Sequence, residues 1–257
     1  MKKLTIEINE IEQMIFVATL PRSGSSMDCG ILEACGAFGG KTIGCVAANK
    51  KGIFENRGLN SMLLSPIFEE IEIRNPRGLL TVHKSGGPPA ELFADFRQDL
   101  TYGLNKQGYK GGVAYFKNGV YTFMFNRINE LFPDAIWVLP YRNANSVVKS
   151  TQRINPNKPI DKIKNDIKDY RFMYDHIQRE AGERAFLINN DELMGGDYSE
   201  MKAVVEKAGL KWDEEAVTEW IDPALWGESK YVEEDVAVEE AKKPQNGGNN
   251  HRPSARA

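Results

Sequence analysis

The sequence predicts an α/β fold, a three-layer α/β/α arrangement around a central, mostly parallel sheet of about five strands. Three observations carry this. Short apolar runs of strand length recur at 15–19, 79–83, 113–116, 136–139 and 185–188. Helical patterns lie between most of them, the signature of a parallel sheet wrapped by helices. A hydrophobic content of 41% over 257 residues suffices for one sizeable core, so residues 1–232 are expected to form a single domain.

The first run, Met14-Ile15-Phe16-Val17-Ala18, leads into Leu20-Pro21-Arg22-Ser23-Gly24-Ser25-Ser26. Beyond it Met27, Ile31, Ala34 and Cys35 fall at i, i+4, i+7 and i+8, a helical stripe suited to packing on a sheet. The small-residue loop therefore sits at a helix N-terminus, where free N–H groups and the macrodipole favour phosphate or sulfate. In the loop of nucleoside-triphosphate hydrolases a lysine follows the second glycine and a hydroxyl residue holds Mg²⁺. Here Ser25 fills the lysine slot, Thr19 stands where the first glycine belongs, and the cation precedes the glycine as Arg22. Such a site suits a terminal anion of low charge, such as a sulfuryl group, better than a triphosphate with Mg²⁺.

The second run ends on His83 and gives way to a loop, Lys84-Ser85-Gly86-Gly87-Pro88-Pro89. The third is followed by Lys117, and Met124, Ile128 and Leu131 mark the next helix. After Phe132-Pro133-Asp134 the fourth run should stop near Pro140, which lacks the N–H that a ladder needs. Arg142 then stands at a strand exit, with Ser150 inside the next helix, so both can face one crevice at the carboxyl end of the sheet. Ile160, Ile163, Ile167, Tyr170, Tyr174 and Ile177 alternate steps of three and four, a long amphipathic helix. Asp191-Glu192 after the last run has no third ligand at suitable spacing, so no metal is expected.

On these residues the chain resembles the sulfotransferases that use 3′-phosphoadenosine 5′-phosphosulfate (PAPS), whose fold is P-loop nucleotide-binding-like. Pro21 to Ser26 is similar to the family's 5′-phosphosulfate loop, and Arg142 with Ser150 to the element that holds the 3′-phosphate. Asn49-Lys50-Lys51-Gly52-Ile53-Phe54-Glu55, Phe116-Lys117-Asn118, residues 187–193, Gly209-Leu210-Lys211-Trp212-Asp213 and Ile221-Asp222-Pro223 resemble its bacterial branch. The likeness spans residues 14–226; Ala144 departs from it, since the family usually has proline there.

The resemblance implies that Arg22, Ser23, Gly24, Ser25, Ser26, Arg142 and Ser150 bind the donor. It also implies transfer of a sulfuryl group to a hydroxyl or amine of a small molecule, a carbohydrate or a protein. Lys117 would face the sulfuryl or bridging oxygen as a mobile point charge. The base would be Glu55, partly shielded by Phe54, or else His83 at a strand end. A small-molecule or nucleotide kinase, or a non-catalytic nucleotide-binding or scaffold protein on the same fold, is the alternative.

A net charge of −3 gives no global basic field, so nucleic acid is not an expected partner and local cations must hold an anionic donor. Cys29, Cys35 and Cys45 form no CxxC pair, as befits a reducing cytoplasm. Glu7, Glu10 and Glu12 interrupt any apolar leader, and no run reaches about eighteen apolar residues, so the chain is expected to be soluble and unexported, with no membrane partner. Residues 233–257, acidic and then rich in Pro, Gly, Asn and Arg, are expected to be a disordered tail in which His251 has no catalytic part.

Overall fold

Along the first strand, β1 (Gln13–Val17), Met14 and Phe16 enter one hydrophobic core while Ile15 and Val17 enter another. A strand buried on both faces is what an apolar run without polar alternation produces, and it requires helices on both sides. The computed structural model describes residues 8–46, 49–71, 80, 83 and 87–223. In it β2 (Val113–Lys117), β1, β3 (Ile136–Tyr141) and β4 (Ala185–Asn189) form a sheet of order β2-β1-β3-β4, with every pair parallel.

One face is covered by α2 (Arg57–Ile71), α3 (Phe96–Lys106), α4 (Phe125–Leu131), α5 (Ala144–Ile154) and α6 (Ile160–Ala181). The other is covered by α1 (Ser25–Ala34), the short α7 (Asn190–Met194), α8 (Ser199–Lys207) and α9 (Glu214–Trp220). These are the three layers that the alternating pattern predicts. On α1 the buried face is Asp28, Cys29, Ile31 and Leu32, while the predicted stripe residues Met27 and Ala34 are only partly covered. The stripe of α6 holds except at its first turn, where Ile160 is exposed. Among the described residues no helix is long and apolar enough to cross a membrane.

One expectation needs correction. The run at 79–83 is expected as a strand, but Leu80 and His83 are helical; the rest of it lies outside the described residues. So short a run satisfies a buried helix as readily as a buried strand, and periodicity does not separate the two. Among the described residues the sheet thus has four strands, with Phe38 as a one-residue parallel bridge on the outer edge of β2: its N–H donates to Val113 at 2.9 Å and its carbonyl accepts from Tyr115 at 3.0 Å.

The fourth run does stop near Pro140, since β3 ends one residue later, at Tyr141, with Pro140 paired with Ile188. Pairing of β1 with β3 ends at Val17 and Val138, and the Val138 carbonyl faces β1, accepting from Ala18 N at 2.9 Å. Two residues on, the side of Pro140 that lacks an N–H faces the same way, past the end of β1. Tyr174 of α6 fills the gap. Its hydroxyl accepts from Leu20 N at 3.0 Å and lies 2.7 Å and 3.1 Å from the carbonyl oxygens of Ala18 and Pro140.

Beyond these strand ends the chain leaves β1 for one face, through α1, and β3 for the other, through α5. In open α/β sheets such a divergence at the carboxyl edge is where ligands bind. Residues 84–86, 233–257 and His251 lie outside the described residues.

Candidate functional site

The loop after β1 is shaped by its own backbone. Ser23 N–H donates to the Leu20 carbonyl at 3.2 Å, and Gly24, at φ 100°, caps α1 without a side-chain hydrogen bond. The first-turn N–H groups of α1 are therefore not taken by a capping side chain, which suits an anion. Arg22 sits at φ 70°, a left-handed conformation that costs a non-glycine residue about 1 kcal/mol. What fixes it is tertiary: Arg22 Nε donates to Ser150 Oγ of α5 at 2.9 Å. Ser25, in the lysine slot, is buried with its hydroxyl 2.6 Å from that of Thr19. Ser23 is fully buried, and its hydroxyl has no hydrogen-bond partner among the described residues.

Ser26 is a hub. Its Oγ accepts from Asn49 Nδ2 at 2.8 Å and Lys117 Nζ at 3.0 Å, and donates to the Ile53 carbonyl at 3.3 Å. Lys117 Nζ also donates to the Ile53 carbonyl. The expectation of a mobile charge is corrected, since Lys117 is 3% exposed at the end of β2, and a buried ammonium takes every acceptor in reach. Burial pulls its pKa below the ordinary lysine value, while the carboxyls of Glu55 and Asp28 act the other way. Burial pushes the Glu55 carboxyl above the ordinary range against the pull of Lys117.

The segment carrying Ile53 and Glu55 bends at Gly52 and Phe54, both at positive φ. It is held by α9: Trp220 meets the Phe54 ring edge-on at 5.4 Å, and Lys51 donates to the Trp220 carbonyl and lies 4.7 Å from the centre of its ring.

At the exit of β3, Arg142 is 9% exposed and its Nε lies 3.4 Å from Asp191 Oδ1. Asp191 Oδ2 accepts from Asn143 N at 2.6 Å, and Asn143 caps α5 through its own side chain. Burial lowers the pKa of both Arg22 and Arg142; Arg153 and Arg142 add to the effect at Arg22, while Asp191 opposes it at Arg142. Arg22 thus feels the positive charge of Arg153 and Arg142, and Arg142 that of Arg153, with Asp191 as the counter-charge at Arg142, a local field that favours an anion.

His83 joins a different set of contacts. Its ring meets His176 edge-on at 4.7 Å, and His176 Nε2 lies 2.8 Å from Asn126 Oδ1. The residue is buried and helical, so its expected place at a strand's carboxyl end is corrected.

Sequence reasoning missed Thr19, Asp28, Asn49, Asn190 and Asp191. Asp28 carried a signal: a carboxylate on the buried face of an apolar helix needs a reason. Burial pushes it up to about 7, opposed by a hydrogen bond from Asn190 and the charge of Lys117. Asp191 was legible only as an acidic pair without a metal partner, and its partner is Arg142.

No family model matches the chain, and no curated protein matches it. Among solved structures it is similar to the sulfotransferase domain from the Synechococcus PCC 7002 olefin synthase, at 16% identity and a TM-score of 0.53, over 88% of this chain and 90% of that one. The fold is that of a sulfotransferase domain. Sulfotransferase STF1 from Mycobacterium tuberculosis H37Rv is similar at 14% identity and a TM-score of 0.46, over 84% of this chain and 71% of that one. The sulfotransferase domain from the curacin biosynthetic pathway is similar at 13% identity and a TM-score of 0.43, over 81% of this chain and 77% of that one.

In this fold the β1-loop-α1 unit and the β3–α5 turn lie at the same edge of the sheet, joined by the hydrogen bond from Arg22 to Ser150. Among the described residues no group of three or more His, Cys, Asp or Glu side chains could hold a metal ion.

Proposed function

We propose that this chain is a sulfotransferase that takes a sulfuryl group from PAPS and passes it to a hydroxyl or amine acceptor. The observation that carries the reading is the hydrogen bond from Arg22 Nε to Ser150 Oγ, which joins the loop after β1 to the helix after β3. A donor charged at both ends of an adenosine needs two anion seats that face one crevice. The side chains present fit that requirement: uncapped N–H groups and Arg22 at one seat, Arg142, Ser150 and Arg153 at the other.

The donor supplies the sulfuryl group, and the chain supplies placement, charge and a base. Arg22, Ser23, Gly24, Ser25 and Ser26 hold the phosphosulfate end, and Arg142 and Ser150 hold the 3′-phosphate. Lys117, fixed by Ser26 and Ile53, keeps positive charge where negative charge develops on the departing phosphate. Glu55 takes the acceptor's proton on its carboxylate; partial burial raises its pKa toward that of a useful base. The acceptor is a small molecule, a carbohydrate or a protein side chain, and nucleic acid is not a partner. We place the protein in a reducing cytoplasm, in keeping with free Cys29, Cys35 and Cys45.

Calorimetric titration with adenosine 3′,5′-bisphosphate, set beside ATP with Mg²⁺, tests the reading. The bisphosphate binds, and Arg22→Ala and Arg142→Ala each weaken it at least about tenfold, about 1.4 kcal/mol. Unchanged affinity in both variants, or Mg²⁺-dependent ATP turnover, would overturn it.

A further inference from the structure

β3 and β4 end level with each other, Tyr141 against Asn189, so the residues that follow them emerge side by side at the carboxyl edge. Asn189 caps α7 by accepting from Asp191 N at 3.2 Å. Asn190 and Asp191 are thereby fixed in successive helical positions, about 100° apart around the axis, and they point at different neighbours.

Asn190 is fully buried, and its amide donates to the Ser23 carbonyl at 3.0 Å and to Asp28 Oδ2 at 3.1 Å. Asp191 faces the other way, to Arg142 Nε at 3.4 Å and Asn143 N at 2.6 Å. Asn143 caps α5, α5 carries Ser150, and Ser150 accepts from Arg22. The contacts close a circuit, because Arg22 and Ser23 are adjacent. It runs Ser23, Asn190, Asp191, Asn143, α5, Ser150 and Arg22.

We infer that Asn190 and Asp191 are positioning residues that couple the two anion seats, so that the seat after β1 is held in shape partly by contacts at the seat after β3. The inference rests on the sulfotransferase reading above for the identity of the ligand. Neither residue is assigned contact with the reacting atoms. Asp191 acts through Arg142 and the cap of α5, and Asn190 acts through the backbone of Ser23. Because the circuit is closed, opening it at any one link loosens both seats, and opening it at a second link adds little. A residue that merely stabilised the fold would instead give independent, additive effects.

Calorimetry on the full chain separates these outcomes, with adenosine 5′-monophosphate as a probe of the first seat and adenosine 3′,5′-bisphosphate as the two-ended probe. Asp191→Asn keeps the side chain's size and removes the ion pair. It is expected to weaken adenosine 5′-monophosphate at least about threefold, although Asp191 adjoins the other seat. In a Ser150→Ala background the same substitution should cost less than about twofold, because the circuit is already open. Asp191→Ser, which retains an acceptor for Asn143 N, provides a second variant should Asp191→Asn fail to give a cooperative thermal melt.

Wild-type protein that does not bind the bisphosphate overturns the sulfotransferase reading. Wild-type protein that binds it, with 5′-monophosphate affinity unchanged in Asp191→Asn and Asp191→Ser or with costs that simply add to that of Ser150→Ala, overturns the coupling alone.

Discussion

Arg22 Nε donates to Ser150 Oγ across 2.9 Å, a contact between residues 128 positions apart. It holds a left-handed arginine in place and ties the loop after β1 to the helix after β3. Ser150→Ala removes the acceptor for a charged donor, a loss of about 1.5 kcal/mol or more. Adenosine 3′,5′-bisphosphate should bind about tenfold more weakly, whereas Ser150→Thr, which keeps the hydroxyl, should stay within about threefold. Calorimetry on the two variants checks both figures.

Glu55 and His83 are distinguished by rate. Glu55→Gln should lower turnover about 10²- to 10⁴-fold while bisphosphate affinity stays within about twofold, because a base contributes to the reaction and not to donor binding. His83→Gln should leave turnover within about threefold, its ring being packed against His176. With burial holding the Glu55 pKa above the ordinary carboxylate value, the wild-type rate should rise with pH as that carboxyl loses its proton. The reverse pattern in the two variants would assign the base to His83.

Asp28 ties stability to pH. Its pKa is raised from 3.8 to about 7 by burial, so between those values the folded chain binds more protons than the unfolded one. The associated stability is fully present below the unfolded value and is lost as pH rises through the folded value, by on the order of 4 kcal/mol in all. Asp28→Asn cannot ionise, so its urea midpoint should fall less than the wild-type midpoint between about pH 5 and pH 8. Parallel midpoints would mean that Asp28 is not the group responsible.

Gly30 lies under the indole of Trp220. A Cβ at residue 30 would stand 1.9 Å from Cε2 of that ring, and Trp220 Nε1 donates to the Met27 carbonyl at 3.2 Å. Gly30→Ala should therefore destabilise the chain by about 1–3 kcal/mol in chemical unfolding. Adding Trp220→Leu should recover part of that loss. A Gly30→Ala variant as stable as the wild type would show that α9 moves freely off α1.

Much of the scaffold was legible in the sequence because its signals are local. The runs at 15–19, 113–116, 136–139 and 185–188 mark strands to within a few residues, and the stripe from Ile163 to Ile177 lies buried on α6. The run at 79–83 misled because a run of five residues is too short to have a period to measure. Pro140 marked the end of β3 to within one residue, and its missing N–H is tolerated there because β1 has already ended. In the site, the residue types around Gly24 pointed to an anion loop. The burial of Lys117 was hidden, because a strand-end lysine has the same local sequence whether water or Ser26 receives it.

By itself the sequence determined the strand-loop-helix unit, the placement of Arg22 before a helix N-terminus and of Arg142 at a strand exit, and the apolar faces that the helices bury. Only the tertiary structure decided that Arg22 meets Ser150, that Asp191 holds Arg142 and that Asn190 holds Ser23. The reason is distance along the chain. Periodicity and capping depend on residues a few positions apart, but a meeting across more than a hundred residues depends on strand order and register, which the whole core selects together.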